Sequence, residues 1–319
     1  MGRTILKHAI LAGLFTAALA VPALATDYTI LAPAAPGGGW DQTARTMQEV
    51  LQAEGISDSV QVQNVPGAGG TVGLAQFASS ATGKADQLIV GGYVMVGAIL
   101  TNASPVSLAD VTPIARLTGE YEAIVVPTAS EIQDINQLVE MLKADPGSVS
   151  WAGGSAGGAD HIAVGLLANA ADVDPTAINY IAYSGGGEAL AAILGNQVTA
   201  GISSLGEFKP QADAGTLRIL AVTSEERIEG VDAPTLTEVG LDVVLQNWRM
   251  VAAPAGLSPE DEAAIAADIE TMAKSTAWQE ALATKGWADT YLAGDAFRAQ
   301  LEEETATTAA VLKDIGLVE

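Results

Sequence analysis

A candidate catalytic serine stands in the stretch Gly153–Gly157, GGSAG, which matches the G-x-S-x-G pattern of α/β-hydrolases. In those enzymes a histidine far downstream on another loop removes the proton of the serine. This chain has two histidines: His8 belongs to an amino-terminal leader, and His161 follows Ser155 by only six residues. His161 is badly placed as a catalytic base, so we expect it to orient a ligand or brace its loop, or to be a half-buried helix residue. The spacing predicts that Ser155 contacts a ligand without attacking it, and a secreted serine hydrolase using Ser155 remains the alternative.

Ser155 lies in one of four glycine-rich turns, each placed between an apolar run and a helical pattern. The turns read PGGGW, PGAGG, GGSAGG and SGGG, and a fifth turn with fewer glycines contains Ser203 and Ser204. A turn that opens a helix presents free N–H groups and the positive end of the helix dipole, so it can hold an anion. One such turn is more often a tight connection. Four of them favour a shared anion site beyond the carboxyl ends of the strands.

Other chemistries that use glycine turns, metals or paired carboxylates lack their required residues. No glycine precedes Lys-Ser or Lys-Thr as in a P-loop, and the glycines after Gly67 are spaced wrongly for a dinucleotide fingerprint. The chain has no cysteine, which predicts no metal site, and nothing indicates a cofactor. A carboxylate pair for glycoside hydrolysis stays open, although an aromatic content of 5% is low for stacking sugars.

The composition and the amino terminus predict an exported, soluble protein. Arg3 and Lys7 precede an apolar run over 10–21, and Ala23–Ala25 forms an A-x-A site, so residues 1–25 have the layout of a signal peptide cleaved after Ala25. No later apolar run is long enough to span a bilayer. The formal net charge of −24 argues against nucleic acid and against anionic membranes, so any anion site must be local. We expect a free periplasmic protein.

The alternation of strands and helices predicts an α/β fold with mainly parallel sheets covered on both faces. Tyr28–Ala32 and 60–65 are predicted strands, each followed by a glycine turn and a helix. Ser258 followed by Pro259 and two acids is a strong helix start, and the last helix is predicted over 295–314.

Several segments of this sequence resemble the substrate-binding proteins of tripartite tricarboxylate transporters, the Bug family, and most closely its TctC branch. The matching segments occur in order between residues 33 and 198: PGGGWDQTAR, NVPGAGGTVGLAQF, VMVGAIL, VTPIARLTGEYEAIVVP, GGSAGGADHIA and YSGGGEALAAILGNQV. The resemblance implies a class II-like periplasmic binding protein, with residues 26–124 plus 247–319 in lobe 1 and residues 125–246 in lobe 2. It implies a monomer without a cofactor, which passes a di- or tricarboxylate to membrane permease subunits.

The resemblance also implies which residues hold the ligand between the lobes. One carboxylate is expected on the first two glycine turns, partly through water, and the second lobe is expected to hold the rest. The expected residues in lobe 1 are Gly37, Gly38, Gly39, Trp40, Asp41, Gly69, Gly70 and Thr71. Those in lobe 2 are Ser155, His161, Tyr183, Ser184, Gly185, Ser203 and Ser204.

Two further positions bear on ligand specificity. Some members of the family carry an aspartate near the position of Ser203 or Ser204, where it meets a ligand ammonium, so two serines imply that an amino-acid ligand is less expected. Arg249 is a candidate second clamp because a guanidinium matches a carboxylate with two hydrogen bonds. A surface arginine near the hinge is the alternative. The sequence leaves open whether the protein serves transport or a membrane receptor kinase as a carboxylate sensor.

Overall fold

The computed structural model describes residues 27–319, and the signal peptide expected at residues 1–25 lies outside them. The strands are β1 (Tyr28–Ala32), β2 (Val60–Asn64), β3 (Gln87–Gly92), β4 (Val111–Pro127), β5 (Ser150–Gly153), β6 (Asn179–Ala182), β7 (Ala200–Ser204), β8 (Leu217–Val222), β9 (Gln246–Pro254) and β10 (Ala288–Ala293). The α-helices are α1 (Gly39–Ala53), α2 (Thr71–Ser80), α3 (Tyr93–Thr101), α4 (Ile135–Ala144), α5 (Ala159–Ala170), α6 (Gly186–Leu194), α7 (Leu205–Asp213), α8 (Pro259–Lys274), α9 (Thr276–Lys285) and α10 (Gly294–Asp314). Within the described range, every helix is too short or too polar to cross a bilayer.

Strand β4 is the longest strand and is shared by two groups of strands. Its first part, 111–121, pairs with β9, while its last residues, 122–127, pair with β7 and β8. The strands follow the order β2-β1-β3-β9-β4-β7-β5-β6, with β8 and β10 also paired to β4. The two lobes are therefore joined through continuous strands, and β4 and β9 form the connection between them.

Each lobe has its own apolar core. The first core is built from β1, β3, β9 and helices α1, α8 and α9, and its largest fully buried side chains include Tyr28, Phe77 and Trp278. The second core is built around Trp151 of β5 and the apolar face of α5. A smaller cluster around Phe208 of α7 covers the other face of the second sheet. Burial of these separate apolar surfaces stabilises two compact lobes with a cleft between them.

The two-lobed α/β architecture is confirmed. The sheets were expected to be mainly parallel, and they contain both parallel and antiparallel pairs. The outer pairs β1–β2, β1–β3, β5–β6 and β5–β7 are parallel. The pairs that β4 and β9 make with β3, β7, β8, β10 and with each other are antiparallel. Strand–helix–strand units produce parallel pairs, whereas a strand that carries the chain from one lobe to the other meets neighbours that run the opposite way.

The carboxyl-terminal helix α10 contacts both cores. Phe297 and Leu301 lie in the first core, while Leu312 and Ile315, at the end of this helix, lie in the second. The lobe boundaries at residues 124 and 246 fall inside or beside the connecting strands β4 and β9, and they stay a prediction.

The helix start that the sequence predicts at Ser258 is confirmed. The Ser258 hydroxyl accepts the N–H of Asp261, which opens α8 at Pro259. Helix α1 begins at Gly39 without a side-chain cap, and Asp41 lies in its first turn. Helices α1, α2, α5, α6 and α7 all begin at the cleft, so their amino-terminal ends converge there.

Candidate functional site

A cleft between the lobes is lined by the glycine turns of both. The empty space in it is about 850 Å³, the open space at its mouth included. Eleven of the residues expected to bind a ligand line it: Gly38, Gly39, Trp40, Gly69, Gly70, Ser155, Ser184, Gly185, Ser203, Ser204 and Arg249. The glycine turns therefore converge in space, although they are far apart in the sequence.

The lobe 1 wall depends on glycine at two positions of the second turn. Gly69 has φ +60° and Gly70 has φ +91°, which are conformations that other residues rarely adopt. A Cβ atom on Gly70 would come within 2.6 Å of the Trp40 ring, and one on Gly69 would strike Ala98. Glycine therefore lets the backbone of this turn lie against Trp40 and beside the first turn of α2.

The lobe 2 wall faces this turn across the cleft. A Cβ atom on Gly69 would lie 3.7 Å from the Cβ atom of Ser155, so these two turns are opposite each other. The remaining lobe 2 wall is formed by the turn at Ser184 and Gly185 and by the end of β7 at Ser203 and Ser204.

Most of the turns are braced by an acidic side chain that belongs to the helix following the turn. The Gly37 N–H donates to Asp41 Oδ2 at 2.7 Å, the Gly154 N–H to Asp160 Oδ2 at 2.6 Å, and the Ser184 N–H to Glu188 Oε2 at 3.1 Å. These three N–H groups are already bonded within the chain and are not free for a ligand.

Asp41 is part of this bracing and lies behind the wall of the cleft. Burial alone would raise its pKa, but hydrogen bonds from Arg45, Gly37 and Asn64 outweigh the burial and hold the pKa below its ordinary value. Asp41 is therefore an ionised structural group that fixes the first turn.

Five expected site residues do not line the cleft: Gly37, Asp41, Thr71, His161 and Tyr183. Thr71 donates its hydroxyl to the carbonyl of Ala68 at 2.9 Å and so closes the second turn. The His161 ring stacks on Tyr180 with centroids 4.0 Å apart, and its Nδ1 accepts the N–H of Gly157 at 3.3 Å. Burial lowers the pKa of His161 to about 4, so the ring is neutral near pH 7 and braces the Ser155 loop.

Arg249 of β9 is the cationic side chain of the described cleft wall. It is 3% exposed, forms an ion pair with Glu120 of β4, and stacks its guanidinium 5.0 Å from the centroid of the Trp287 ring. The guanidinium lies directly against Gly39. Its Nη1 is buried and has no hydrogen-bond partner among the described residues. Arg249 is thus a buried group of the cleft, and the alternative of a surface arginine is wrong.

Sequence reasoning missed the acidic residues of the site. Asp160 and Glu207 line the cleft, together with Asn247, and Glu122 is fully buried nearby with no hydrogen-bond partner for either carboxylate oxygen among the described residues. The repeat of GGWD in GGAD could have indicated Asp160. Glu207, in the first turn of α7, follows Ser203 of β7 by four residues, and the Ser203 hydroxyl donates to Glu207 Oε2 at 2.7 Å.

Burial governs the charge of these acids. It raises the pKa of Asp160 to about 7, with the Gly154 N–H opposing the rise and the Glu207 carboxylate adding to it. Burial also raises the pKa of Glu207, and the hydrogen bond from Ser203 opposes that rise. Among residues 27–319, no three acidic or histidine side chains are grouped so that they could hold a metal ion.

Comparisons with known proteins identify the family of the chain and support its fold. Residues 43–317 match the family described as Tripartite tricarboxylate transporter family receptor. The chain is 29% identical to Protein BugT of Bordetella pertussis over 311 residues, which covers 94% of each chain. Two solved structures from Rhodopseudomonas palustris share the fold. MatC with bound malate has a TM-score of 0.75 at 22% identity, covering 90% of this chain and 99% of that one. A protein with adipate has a TM-score of 0.82 at 21% identity, covering 91% and 97%.

Proposed function

We propose, because the chain belongs to the tripartite tricarboxylate transporter receptor family, that it captures a small organic acid in the cleft and delivers it to the permease subunits of such a transporter. Proteins of this family are periplasmic solute-binding receptors and not enzymes. The observation that carries the proposal is the lobe 1 wall, where two glycine turns and a buried guanidinium meet at one point of the cleft.

A carboxylate fits this wall for electrostatic reasons. The first N–H groups of α1 and α2 have no partner within their helices, and the helix dipoles add positive potential at the same end. Arg249 Nη1 is a further donor that no described residue satisfies. Arg249 is buried, and a charge-assisted hydrogen bond from a buried guanidinium to a carboxylate is strong.

The finer proposal is a di- or tricarboxylate of the citrate or C4 type. The family is described as one of tricarboxylate transport, and the two similar structures hold malate and adipate. The hydroxyls of Ser155 and Ser184 on the opposite wall are the groups that would meet the far end of such a ligand.

Calorimetric titration of the purified mature chain tests the proposal. The probes are citrate, malate, succinate, adipate and their amino-substituted relatives, with acetate as the small control acid and a neutral diol as the uncharged control. We expect one of the larger acids to bind at least ten times more tightly than acetate, and the diol not to bind. Equal, weak binding of all probes would contradict a receptor for organic acids.

A further inference from the structure

Four acidic side chains lie near one another where β4, α5 and α7 meet at the lobe 2 wall, and one cation accompanies them. Glu120 and Glu122 belong to β4, Asp160 begins α5 and Glu207 begins α7. The cation is Arg249, which forms an ion pair with Glu120. Among the described residues, the other three acids therefore have no cation to pair with.

Glu122 is the most deeply buried of the three acids. Its side chain is inaccessible to solvent, and neither carboxyl oxygen has a hydrogen-bond partner among the described residues. An ionised carboxylate in such a place would have neither water nor a partner, which costs much more free energy than keeping a proton. Glu122 is therefore neutral in the folded protein, and the charge that can change belongs to Asp160 and Glu207.

The Ser203 hydroxyl connects these two acids. It donates to Glu207 Oε2 at 2.7 Å, and its hydrogen bonding to Asp160 also influences the pKa of that carboxyl. A hydroxyl has one proton, so Ser203 cannot donate to both carboxylates at once. One proton on Asp160 completes the chain, because the protonated acid can donate to the Ser203 oxygen while Ser203 still donates to Glu207. The arrangement thus suits one proton between two acids.

A bound anion adds negative charge and removes water beside this pair. Asp160 and Glu207 line the cleft, and a Cβ atom on Gly69 of lobe 1 would lie only 3.7 Å from the Cβ atom of Ser155 in lobe 2. An anion between walls this close repels the ionised form of both acids and reduces their hydration. Both effects favour protonation. Burial already raises the pKa of Asp160 to about 7, so a further rise acts near neutral pH.

The side chains around the pair leave Asp160 and Glu207 as the groups that titrate there. Burial lowers the pKa of His161 to about 4, so this ring is neutral, and burial raises the pKa of Tyr180 well above its ordinary value, so the phenol keeps its proton. The other titratable or charged side chains packed near the pair, from β4, α6 and β9, are Glu120, Glu122, Glu188 and Arg249.

We infer that the receptor takes up a proton when it captures its anionic ligand, and that Asp160, linked through Ser203 to Glu207, holds this proton. The inference rests on the proposed function and adds regulation by pH to the same cleft. The proton enters from solvent, because Asp160 lines the cleft. Affinity for the anion therefore rises as the pH falls through the range between the pKa of Asp160 in the free receptor and its higher pKa in the complex.

Calorimetric titration in two buffers and one matched pair of variants test the inference. The probe is whichever of succinate, malate and adipate binds most tightly, since all three are fully ionised at pH 8. Phosphate and Tris differ in their enthalpy of ionisation, so the difference in binding enthalpy between them counts the protons taken up. Asp160→Asn removes the titrating carboxyl and keeps an acceptor for the Gly154 N–H. Asp213→Asn removes one charge from the far end of α7, where Asp213 is exposed and paired with Lys209.

We expect the wild type and Asp213→Asn to take up at least about 0.3 proton per ligand at pH 8, and to lose affinity at least about threefold between pH 7 and pH 9. Asp160→Asn should bind without proton uptake and with an affinity that does not change over this range. Circular dichroism checks that each variant is folded. Should Asp160→Asn not fold, Glu207→Gln replaces it and should at least halve the uptake, because the Glu207 carboxylate raises the pKa of Asp160.

Two results would overturn the inference and leave the proposed function standing. One is binding by the wild type without proton uptake, and the other is full uptake in a folded Asp160→Asn or Glu207→Gln protein. Absence of binding by every acid would overturn the proposed function itself.

Discussion

At the scale of single residues, the cleft is defined by positions where a side chain would not fit. Gly70 combines a positive φ with close contact to the ring of Trp40, so two separate costs oppose any substitution there. Gly240 has nearly the same backbone conformation, φ +86°, but nothing lies within 4 Å of a Cβ atom at that position. Substitutions at these two glycines therefore distinguish the effect of backbone strain from the effect of damage to the cleft.

We expect Gly70→Ala to weaken ligand binding at least tenfold, because the new methyl group displaces Trp40 and shifts the N–H groups of the second turn. Gly240→Ala should lower the free energy of unfolding by about 1 kcal/mol, the cost of a left-handed conformation, and bind normally. Calorimetry with urea unfolding checks both variants. Equal affinities for the ligand in the two variants would show that the turn at Gly70 does not contribute to the site.

At the scale of elements, helix α3 and the loop after β5 bring the two lobes together at the rim of the cleft. Gly97 of α3 lies so close to the carbonyl of Gly157 that no Cβ atom fits between them. A Cβ atom on Gly157 would in turn meet the side chain of Thr101. This backbone contact sets how closely lobe 1 can approach lobe 2 on that side.

Gly97→Ala should separate stability from binding. Alanine favours helix more than glycine by about 1 kcal/mol, so the separated lobes should be as stable as before or more so. The added methyl group should nevertheless block the approach of Gly157 and reduce ligand affinity at least tenfold. Gly147→Ala, in an exposed 3-10 turn with ordinary space for a methyl group, is the control. Unchanged affinity in Gly97→Ala would mean that the lobes bind ligand without meeting at this rim.

At the scale of the whole molecule, the buried acids link stability to pH. Burial raises the pKa of Glu122 well above its ordinary value, the carboxylates of Asp160, Glu120 and Glu207 add to the rise, and Arg249 opposes it. The folded protein therefore binds more protons than the unfolded chain above the ordinary pKa of glutamate. The contribution of Glu122 to the free energy of unfolding is complete at low pH. It is lost as the pH rises through the pKa that Glu122 has in the folded protein.

Glu122→Gln tests this linkage directly. Between pH 5 and 8 the wild-type free energy of unfolding should fall relative to the variant, by at most about 1.4 kcal/mol for each pH unit. The two proteins differ only at this buried side chain, so the difference between them reports Glu122 together with its effect on the neighbouring carboxylates. Urea unfolding at several pH values measures it. Parallel pH profiles for the two proteins would show that Glu122 does not take up a proton on folding.

The sequence by itself determined the features that depend on local order along the chain. The strand at Tyr28–Ala32, the Ser258 cap and the alternation of strand, glycine turn and helix follow from residue spacing, which acts over a few residues. Together with the family resemblance they were enough to predict two α/β lobes and eleven residues of the cleft wall. The turns could be predicted because each glycine pattern opens its own helix.

Only the tertiary structure decided which groups meet across large separations in the sequence. Arg249 and Glu120 pair because β9 runs antiparallel to β4, a register that neither segment encodes alone. Asp160 and Glu207 face one cleft because α5 and α7 begin at the same edge of a sheet, 47 residues apart in the sequence. The burial of these two acids at the lobe 2 wall, and the rise in their pKa, follow from these long-range contacts. A pattern of spacing carries no information about them, because burial and pairing depend on how the strands assemble.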